Sequence, residues 1–279
     1  MPPDTAPPAD GLRTASGGDA RPVPFRGGGF RPRPIGIVGP IVFVALILLW
    51  QLGSVTGVIS DVALPAPSQV FAAFADLVQT GMLWKHLGAS LYRLAIGWTL
   101  GTAFGIAVGL SIGLFSLARA GLIPLVSALF PIPKIALLPL FVVWFGTGEG
   151  SKVATILFGT FFPTVIATYG GIDNVDRGLI RMGQSFGLSW LSIVRKIVIP
   201  GALPAILSGF RISASIAVVL LVAAEMIGAQ YGIGAYILTA GALFATDQLI
   251  AGVAILSLLG LLIAWLIGRA ERRFLDWRT

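Results

Sequence analysis

Residues Leu249 to Ile267 read LIAGVAILSLLGLLIAWLI, an apolar run that contains no charged residue. As a helix rising 1.5 Å per residue, a run of this length covers about 30 Å, the thickness of the hydrocarbon core of a bilayer. A strand of a membrane barrel would need only about ten residues of alternating polarity, and this run does not alternate. It is therefore predicted to be a membrane-spanning helix.

Five other stretches have the same character: Ile35–Val55, Leu94–Phe115, Leu122–Phe145, Val153–Tyr169 and Ile206–Ala229. The chain of 279 residues is 56% hydrophobic and only 11% charged, whereas soluble domains carry about 25% charged residues. The sequence thus predicts an all-α, polytopic membrane protein with about six transmembrane helices. Two of the six stretches are not purely apolar, because one holds Lys134 and four prolines and another holds Arg211 and Glu225.

The basic residues predict the orientation of the chain. Residues 1–34 are rich in proline, glycine and arginine and are expected to form a disordered cytoplasmic tail before the transmembrane domain at 35–279. With both termini in the cytoplasm, 14 of the 19 Lys and Arg residues lie inside, and only Lys85, Arg93 and Lys152 lie outside. The chain is then expected to be a multi-pass membrane protein. This asymmetry accounts for the net charge of +7 without a nucleic-acid partner.

Several chemistries are disfavoured by the residues that carry them. The chain has no cysteine and a single histidine, His86, which argues against thiolate chemistry, a polyhistidine metal site and a Ser-His-Asp triad. The segment from Phe145 to Lys152 resembles a phosphate-binding loop, but its lysine follows the serine instead of preceding it. It is expected to be an external turn over Gly146–Ser151. We therefore predict no cofactor in this chain and no enzymatic activity.

A short helix is predicted over residues 68–80, after the rigid elbow Leu64-Pro65-Ala66-Pro67-Ser68. Ser68 is a natural N-cap for it. Its apolar residues fall on one face, with Asp76 and Gln79 opposite. The helix is expected either to lie on the outer membrane surface or to pack against the transmembrane helices.

Five glycines recur at intervals of four in the second apolar stretch: Gly97, Gly101, Gly105, Gly109 and Gly113. Because four residues make slightly more than one helical turn, they form one slowly drifting stripe. Such a stripe lets another helix approach closely. We predict close helix packing here and no chemical function.

The predicted cytoplasmic loop over residues 170–204 contains a break at Gly187 and then a short helix, Ser189–Ile199, closed by Pro200. Ser189 is its expected N-cap. An apolar stripe runs along the helix, made of Trp190, Ile193, Val194 and Ile197. An exposed stripe of this kind indicates either a partner surface or a helix that lies flat on the membrane.

The loop resembles the "EAA" loop of ABC-importer permeases, in which Glu-Ala-Ala, three residues and Gly precede nine residues and Ile-x-Leu-Pro. Here Gly187 is followed by nine residues and Ile197-Val198-Ile199-Pro200, whereas Arg181-Met182-Gly183 stands at the opening. Four other stretches resemble the nitrate, sulfonate and taurine branch of these permeases: the elbow at 64–68, Pro131–Leu140, Trp144–Glu149 and Val222–Met226. The resemblance covers about Leu64 to Trp277.

The resemblance implies a type I permease fold and a transport assembly. Two copies of the chain would form a homodimer, an ABC ATPase dimer that binds ATP would dock on the cytoplasmic face, and an external solute-binding protein would deliver a small anionic or polar organic solute. The short helix would couple the permease to the ATPase through Gly187, Ser189, Trp190, Ile193, Val194, Ile197, Ile199 and Pro200.

Glu225 and Lys134 are the candidate residues of the translocation path or gate, because ionised groups inside a span are costly and rare. Glu225 is expected to face the interior or a watery cavity, or else to be satisfied by nearby backbone and hydroxyl groups. An ion-coupled secondary transporter or a channel is the alternative function, although such proteins usually carry more intramembrane carboxylates.

Overall fold

The computed structural model describes residues 37–274, and in that range every regular element is helical. Eleven α-helices follow in chain order: α1 (Val38–Val55), α2 (Pro67–Gln79), α3 (Met82–Leu114), α4 (Ser116–Leu129), α5 (Leu138–Phe145), α6 (Glu149–Asp173), α7 (Arg177–Ser185), α8 (Trp190–Ile193), α9 (Ile199–Met226), α10 (Ile233–Ala242) and α11 (Thr246–Phe274). The chain divides into two compact units at residues 49 and 50, within α1. The predicted tail, residues 1–34, lies outside the described residues.

Five helical stretches of the described chain are long and apolar enough to cross a membrane. A sixth span results if α4 and the pieces over Lys134–Phe145 are counted together, although they are bent by 90°. The prediction of an all-α protein with about six spans is confirmed. The third span is broken because Pro131 and Pro133 cannot donate helical hydrogen bonds at the bend.

The second span is longer than its apolar run suggests. Helix α3 begins at Met82, twelve residues before Leu94, and therefore contains Arg93, which the sequence placed in an external loop. Arg93 is buried, and so is Lys152, which belongs to α6. Arg93 thus lies in a helix and not in a loop, and both cations are buried because they find hydrogen-bond partners within the protein. Their position on the external side of the membrane stays a prediction.

Helices α3 and α6 form the central pair of the second unit. The glycine stripe of α3 faces a matching row on α6: Ile156, Thr160, Thr164, Thr168 and Ile172. A Cβ atom on Gly101 would lie 2.0 Å from the Thr160 Oγ1 atom, so only glycine permits this approach. Each threonine hydroxyl in the row donates to the carbonyl one turn earlier on its own helix. The predicted packing role of the stripe is confirmed.

Helix α2 packs against the bundle. Its Leu77 is buried in a cluster with Leu83, Ile233 and Ile255. The N-cap is Ala66 and not Ser68, because the Gln69 side chain reaches back and accepts a hydrogen bond from the Ala66 N–H at 2.7 Å. Of the two predicted arrangements, the packing one describes the structure.

The predicted loop over residues 170–204 is almost entirely helical. Helix α6 extends to Asp173, α7 and α8 follow, and a π-helical turn over Val194–Val198 leads directly into α9. Pro200 therefore does not close the short helix as predicted. It lies at the start of α9, where the wide π turn has already relaxed the hydrogen-bond ladder and no N–H is needed.

Candidate functional site

The helices α7 and α8 are fixed to the bundle by a small core. Ile193 is only 7% exposed, and it packs in a cluster with Ile172, Val175 and Ile206. Val194 is buried as well, and Ile197 is partly buried. These three residues were predicted to form an exposed stripe, but the structure turns them toward the chain's own helices. They anchor the segment and leave its outer surface to other side chains.

Six large apolar side chains of the same segment are exposed on the side that does not face the bundle. We call them the α7–α8 apolar face: Leu179, Met182, Phe186, Leu188, Trp190 and Leu191. Phe186 is 78% exposed and Leu191 is 55% exposed. Residues 179 and 182 are three positions apart on α7 and therefore lie on one side of it, and Phe186 follows as the residue that ends the helix. Only Trp190 of this face was predicted from the sequence.

Two local features set the direction in which α8 leaves α7. The Ser189 Oγ atom accepts a hydrogen bond from the Ser192 N–H, so the predicted N-cap is confirmed. Gly187 has a φ of 72°, a left-handed backbone conformation that residues with a Cβ rarely adopt.

At the opening of the motif, Gly183 stands where the family pattern has alanine. A Cβ there would lie 3.0 Å from the Ile197 Cδ1 atom, so α7 packs tightly on the π turn.

The segment is also linked to the neighbouring membrane helices. Beside it, Arg119 on α4 forms an ion pair with Asp173 at the end of α6, and this pair joins two of those helices to each other. The ring of Trp190 lies 5.8 Å from the ring of Phe115, which joins α3 to α4. Ile199 and Pro200 lie at the start of α9. A displacement of the segment would therefore reach α9 through the continuous chain, α6 through Ile193, and the junction of α3 and α4 through Trp190.

A second candidate site surrounds Glu225 near the opposite end of α9. The carboxylate is fully buried. One of its oxygens accepts hydrogen bonds from the Ser90 hydroxyl and from the Arg93 Nη1 atom, each at 2.8 Å. The other oxygen accepts from the Gly234 N–H at 2.9 Å. Glu225 thus lies in the protein interior, and its oxygens are satisfied by a hydroxyl, a backbone N–H and a guanidinium, so features of both predicted arrangements are present.

Arg93 is the centre of this network. Its Nε and Nη2 atoms bind the two oxygens of Glu149 at 2.6 and 2.7 Å, a bidentate geometry that is favourable for a guanidinium and a carboxylate. Its Nη1 atom donates to Glu225 and also to the Tyr231 carbonyl at 2.6 Å. The Glu149 side chain is 52% exposed, whereas Glu225 is inaccessible. One buried cation therefore connects a surface carboxylate with an interior one.

Other polar groups complete the network. The Lys152 Nζ atom donates to the carbonyls of Thr147 and Gly148 at 2.6 and 2.9 Å, which fixes the predicted turn before α6. The His86 Nδ1 atom lies 2.9 Å from the Gly232 carbonyl oxygen. Of the residues in this network, only Glu225 was predicted from the sequence as a candidate. The one feature of the sequence that could have indicated this network is the presence of charged residues at 93, 149 and 152 near the ends of apolar runs.

Lys134 lies at the break between α4 and α5. Its Nζ atom donates to the carbonyls of Phe130 and Ile132 at 2.5 and 2.7 Å, and it lies 4.8 Å from the centre of the Phe162 ring. These carbonyls have no helical donor because the helix ends there. Lys134 thus satisfies the free carbonyl groups at the end of α4. Its role in a translocation path stays a prediction. Within residues 37–274, no group of three or more metal-ligating side chains converges.

Residues 101–276 match the family described as binding-protein-dependent transport system inner membrane component. The chain belongs to this permease family. It is similar to a putative aliphatic sulfonates transport permease, SsuC, of Bacillus subtilis strain 168, with 36% identity over 88% of this chain and 87% of that protein. It is also similar to the taurine transport system permease TauC of Escherichia coli K12, with 35% identity over 83% of this chain and 86% of that protein.

Solved structures agree with the permease fold. A chain of the MetNI methionine ABC transporter in an inward-facing conformation superposes with a TM-score of 0.59 at 22% identity, covering 69% of this chain and 96% of that one. A chain of an amino acid ABC transporter with histidines gives 0.55 at 18% identity, covering 72% and 98%. The predicted permease family, fold and transport function are confirmed. The chain is the inner-membrane permease component of a binding-protein-dependent transport system.

Proposed function

We propose that two copies of this permease form the membrane channel of an ATP-driven importer. In this assembly an ABC ATPase dimer binds the α7–α8 segments on the cytoplasmic side, where both chain termini also lie. An external solute-binding protein loads the opposite face. ATP is bound and hydrolysed by the partner ATPase, and the permease supplies the path and the moving helices.

For the solute, we propose a small organic anion that carries a sulfonate or a similar group. The support is the names of two relatives, which are an aliphatic sulfonates permease and a taurine permease. Competition assays test this directly: uptake of a labelled alkanesulfonate into vesicles with the complete complex should be blocked by excess unlabelled sulfonate. Uptake that responds only to an uncharged solute would contradict the assignment.

The coupling function rests chiefly on the α7–α8 apolar face. Six large apolar side chains are exposed on a short segment that Ile193 and Val194 anchor from beneath. Exposed apolar clusters with a polar surrounding mark interaction surfaces. Because the anchor is rigid and continuous with α9, a partner that moves this face also moves a membrane helix. The predicted coupling residues thus divide into contact residues, represented by Trp190, and anchoring residues.

The test removes exposed contact area from the α7–α8 apolar face and leaves the anchoring residues unchanged. Phe186→Ala and Leu191→Ala remove exposed apolar area and should each weaken binding of the ATPase by tenfold or more, as expected for a buried anchor of an interface. Leu243→Ala, an exposed apolar residue between α10 and α11, is the matched control and should retain the ATPase. Co-purification and ATP hydrolysis stimulated by the loaded binding protein are the measurements.

Normal co-purification of the ATPase with both α7–α8 variants would contradict the coupling proposal. A helix that lies flat on the membrane would behave in this way, because its apolar face would contact lipid. An ion-coupled transporter would take up solute in vesicles without the ATPase when an ion gradient is imposed. The buried and satisfied state of Glu225 argues against that alternative, since ion coupling requires an accessible carboxylate.

A further inference from the structure

A groove of about 390 Å³ runs along the contact between α9 and α11. On α11 its lining extends from Val253 to Ile267, which corresponds to about 21 Å of helix length. The depth of the groove comes from small side chains, since Ala214, Gly260 and Ala264 lie where larger residues would fill the space. A Cβ atom on Gly260 would meet no other atom within 4 Å. The groove is therefore long, narrow and open in its middle.

The wall of the groove offers no free polar group along most of its length. Its two hydroxyls are both engaged, because the Ser215 Oγ atom donates to the Arg211 carbonyl at 3.1 Å and the Ser257 Oγ atom donates to the Val253 carbonyl at 2.9 Å. The remaining lining between Arg211 and the far end is apolar. A polar solute would lose its hydration here without gaining hydrogen bonds. An extended hydrocarbon chain fits both the length and the polarity.

One end of the groove is cationic. The side chain of Arg211 extends from α9 toward the C-terminal end of α11, where it pairs with Glu271. A guanidinium nitrogen of Arg211 and one of Arg272 lie 3.9 and 4.0 Å from the same point, the position that a Cβ would take on Gly268. Two cations thus lie near one point where α11 leaves its apolar run, and among the described residues only Arg211 of the two is paired with a carboxylate. An anionic group would balance the remaining positive charge.

We propose that this groove binds one anionic phospholipid. The phosphate lies between Arg211 and Arg272, and one acyl chain follows α11 from Ile267 toward Val253. The lipid belongs to the leaflet at the C-terminal end of α11. Two features of the chain favour a lipid over a second protein copy or the transported solute: the charge at one end and the hydrocarbon-like wall over about three to four helical turns.

The experiment uses the full-length chain, purified, stripped of lipid and supplied with phosphatidylglycerol or phosphatidylcholine. Native mass spectrometry measures the fraction of protein that retains each lipid. The wild-type protein should prefer phosphatidylglycerol. Arg272→Gln should lower its retention about fivefold, as expected for one basic residue at a membrane surface. Gly260→Leu should lower it as well, because a side chain would enter the groove from a Cβ position that meets no other atom within 4 Å.

Two matched variants control for charge and for volume. Arg269→Gln removes a neighbouring cation that lies against the Trp265 ring, and Gly121→Leu adds the same side chain at an exposed glycine on α4 with equally open surroundings. Both should retain phosphatidylglycerol like the wild type. Unchanged retention in Arg272→Gln and Gly260→Leu would overturn the proposal. So would a Gly260→Leu variant that loses dimerisation or solute uptake while it keeps the lipid, because the groove would then serve a second copy or the solute.

Discussion

Glu225→Gln tests whether the buried network around Arg93 stabilises the folded permease. The substitution keeps the shape of the side chain but replaces one acceptor oxygen by an NH₂ donor. In the structure one oxygen faces the Arg93 Nη1 atom and the other faces the Gly234 N–H. Whichever way the amide is turned, a donor faces a donor. The variant also leaves the buried cation with a single carboxylate partner.

The expected cost follows from burial. Breaking a buried ion pair by changing one partner costs about 3–5 kcal/mol, and both Arg93 and Glu225 are inaccessible to solvent. For a protein of this size, each kcal/mol lowers the melting temperature by about 2–4 °C. Glu225→Gln should therefore lower it by about 6 °C or more. Glu149→Gln is the matched control, and because the Glu149 side chain is half exposed and water can solvate the amide, it should cost less than Glu225→Gln.

Thermal unfolding of the detergent-purified protein, followed by the loss of monodisperse material on size exclusion, measures both variants side by side. A Glu225→Gln variant as stable as the wild type, or no more affected than Glu149→Gln, would refute the structural role of the network. If instead stability falls as expected, retention of ATP-driven uptake at a temperature below the new melting point would show that Glu225 is not required in the path itself.

Three further outcomes follow from the structure. Gly101→Ala should destabilise the protein by about 1–3 kcal/mol because its Cβ would overlap Thr160, whereas Gly88→Ala on the same helix has open surroundings and should raise or preserve the melting temperature. Gly187→Ala should weaken ATPase binding by changing the direction of α8. The left-handed backbone at this position costs a residue with a Cβ about 1–2 kcal/mol, and no steric clash adds to that cost. An unaltered ATPase affinity would contradict this. Cysteines introduced at Thr147 and Arg273 should react differently with an impermeant reagent on intact cells, and labelling of 273 alone would reverse the proposed orientation.

The spans could be predicted from the sequence because partition into a membrane depends on the local run of side chains. Leu249–Ile267 is long and apolar in any context, and it forms the central part of α11. The turn at Gly187 and the cap at Ser189 were predictable for the same reason, since both are decided within a few residues. The glycine stripe of α3 likewise indicated a close helix contact before its partner was known.

The identity of the contacting residues could not be read from the sequence. Helical spacing placed Trp190, Ile193 and Val194 in one stripe, but the direction of that stripe depends on how α7 and α8 lie against α6 and α9. The structure turns Ile193 inward and leaves Phe186 and Leu191 outward. The helix end predicted at Pro200 failed for a related reason. A π turn before Pro200 allows the chain to continue as a helix, and this turn could not be predicted from the sequence.

The network around Arg93 was decided by tertiary structure alone. Arg93 is 56 residues from Glu149 and 132 from Glu225 along the chain, and each of the three charges by itself suggests an exposed loop or an isolated gate. They become partners only when the glycine stripe lets α3 and α6 approach closely and α9 packs beside them. Burial of these charges is stable because each is paired and hydrogen-bonded, and pairing between distant segments is a property of the packed helices.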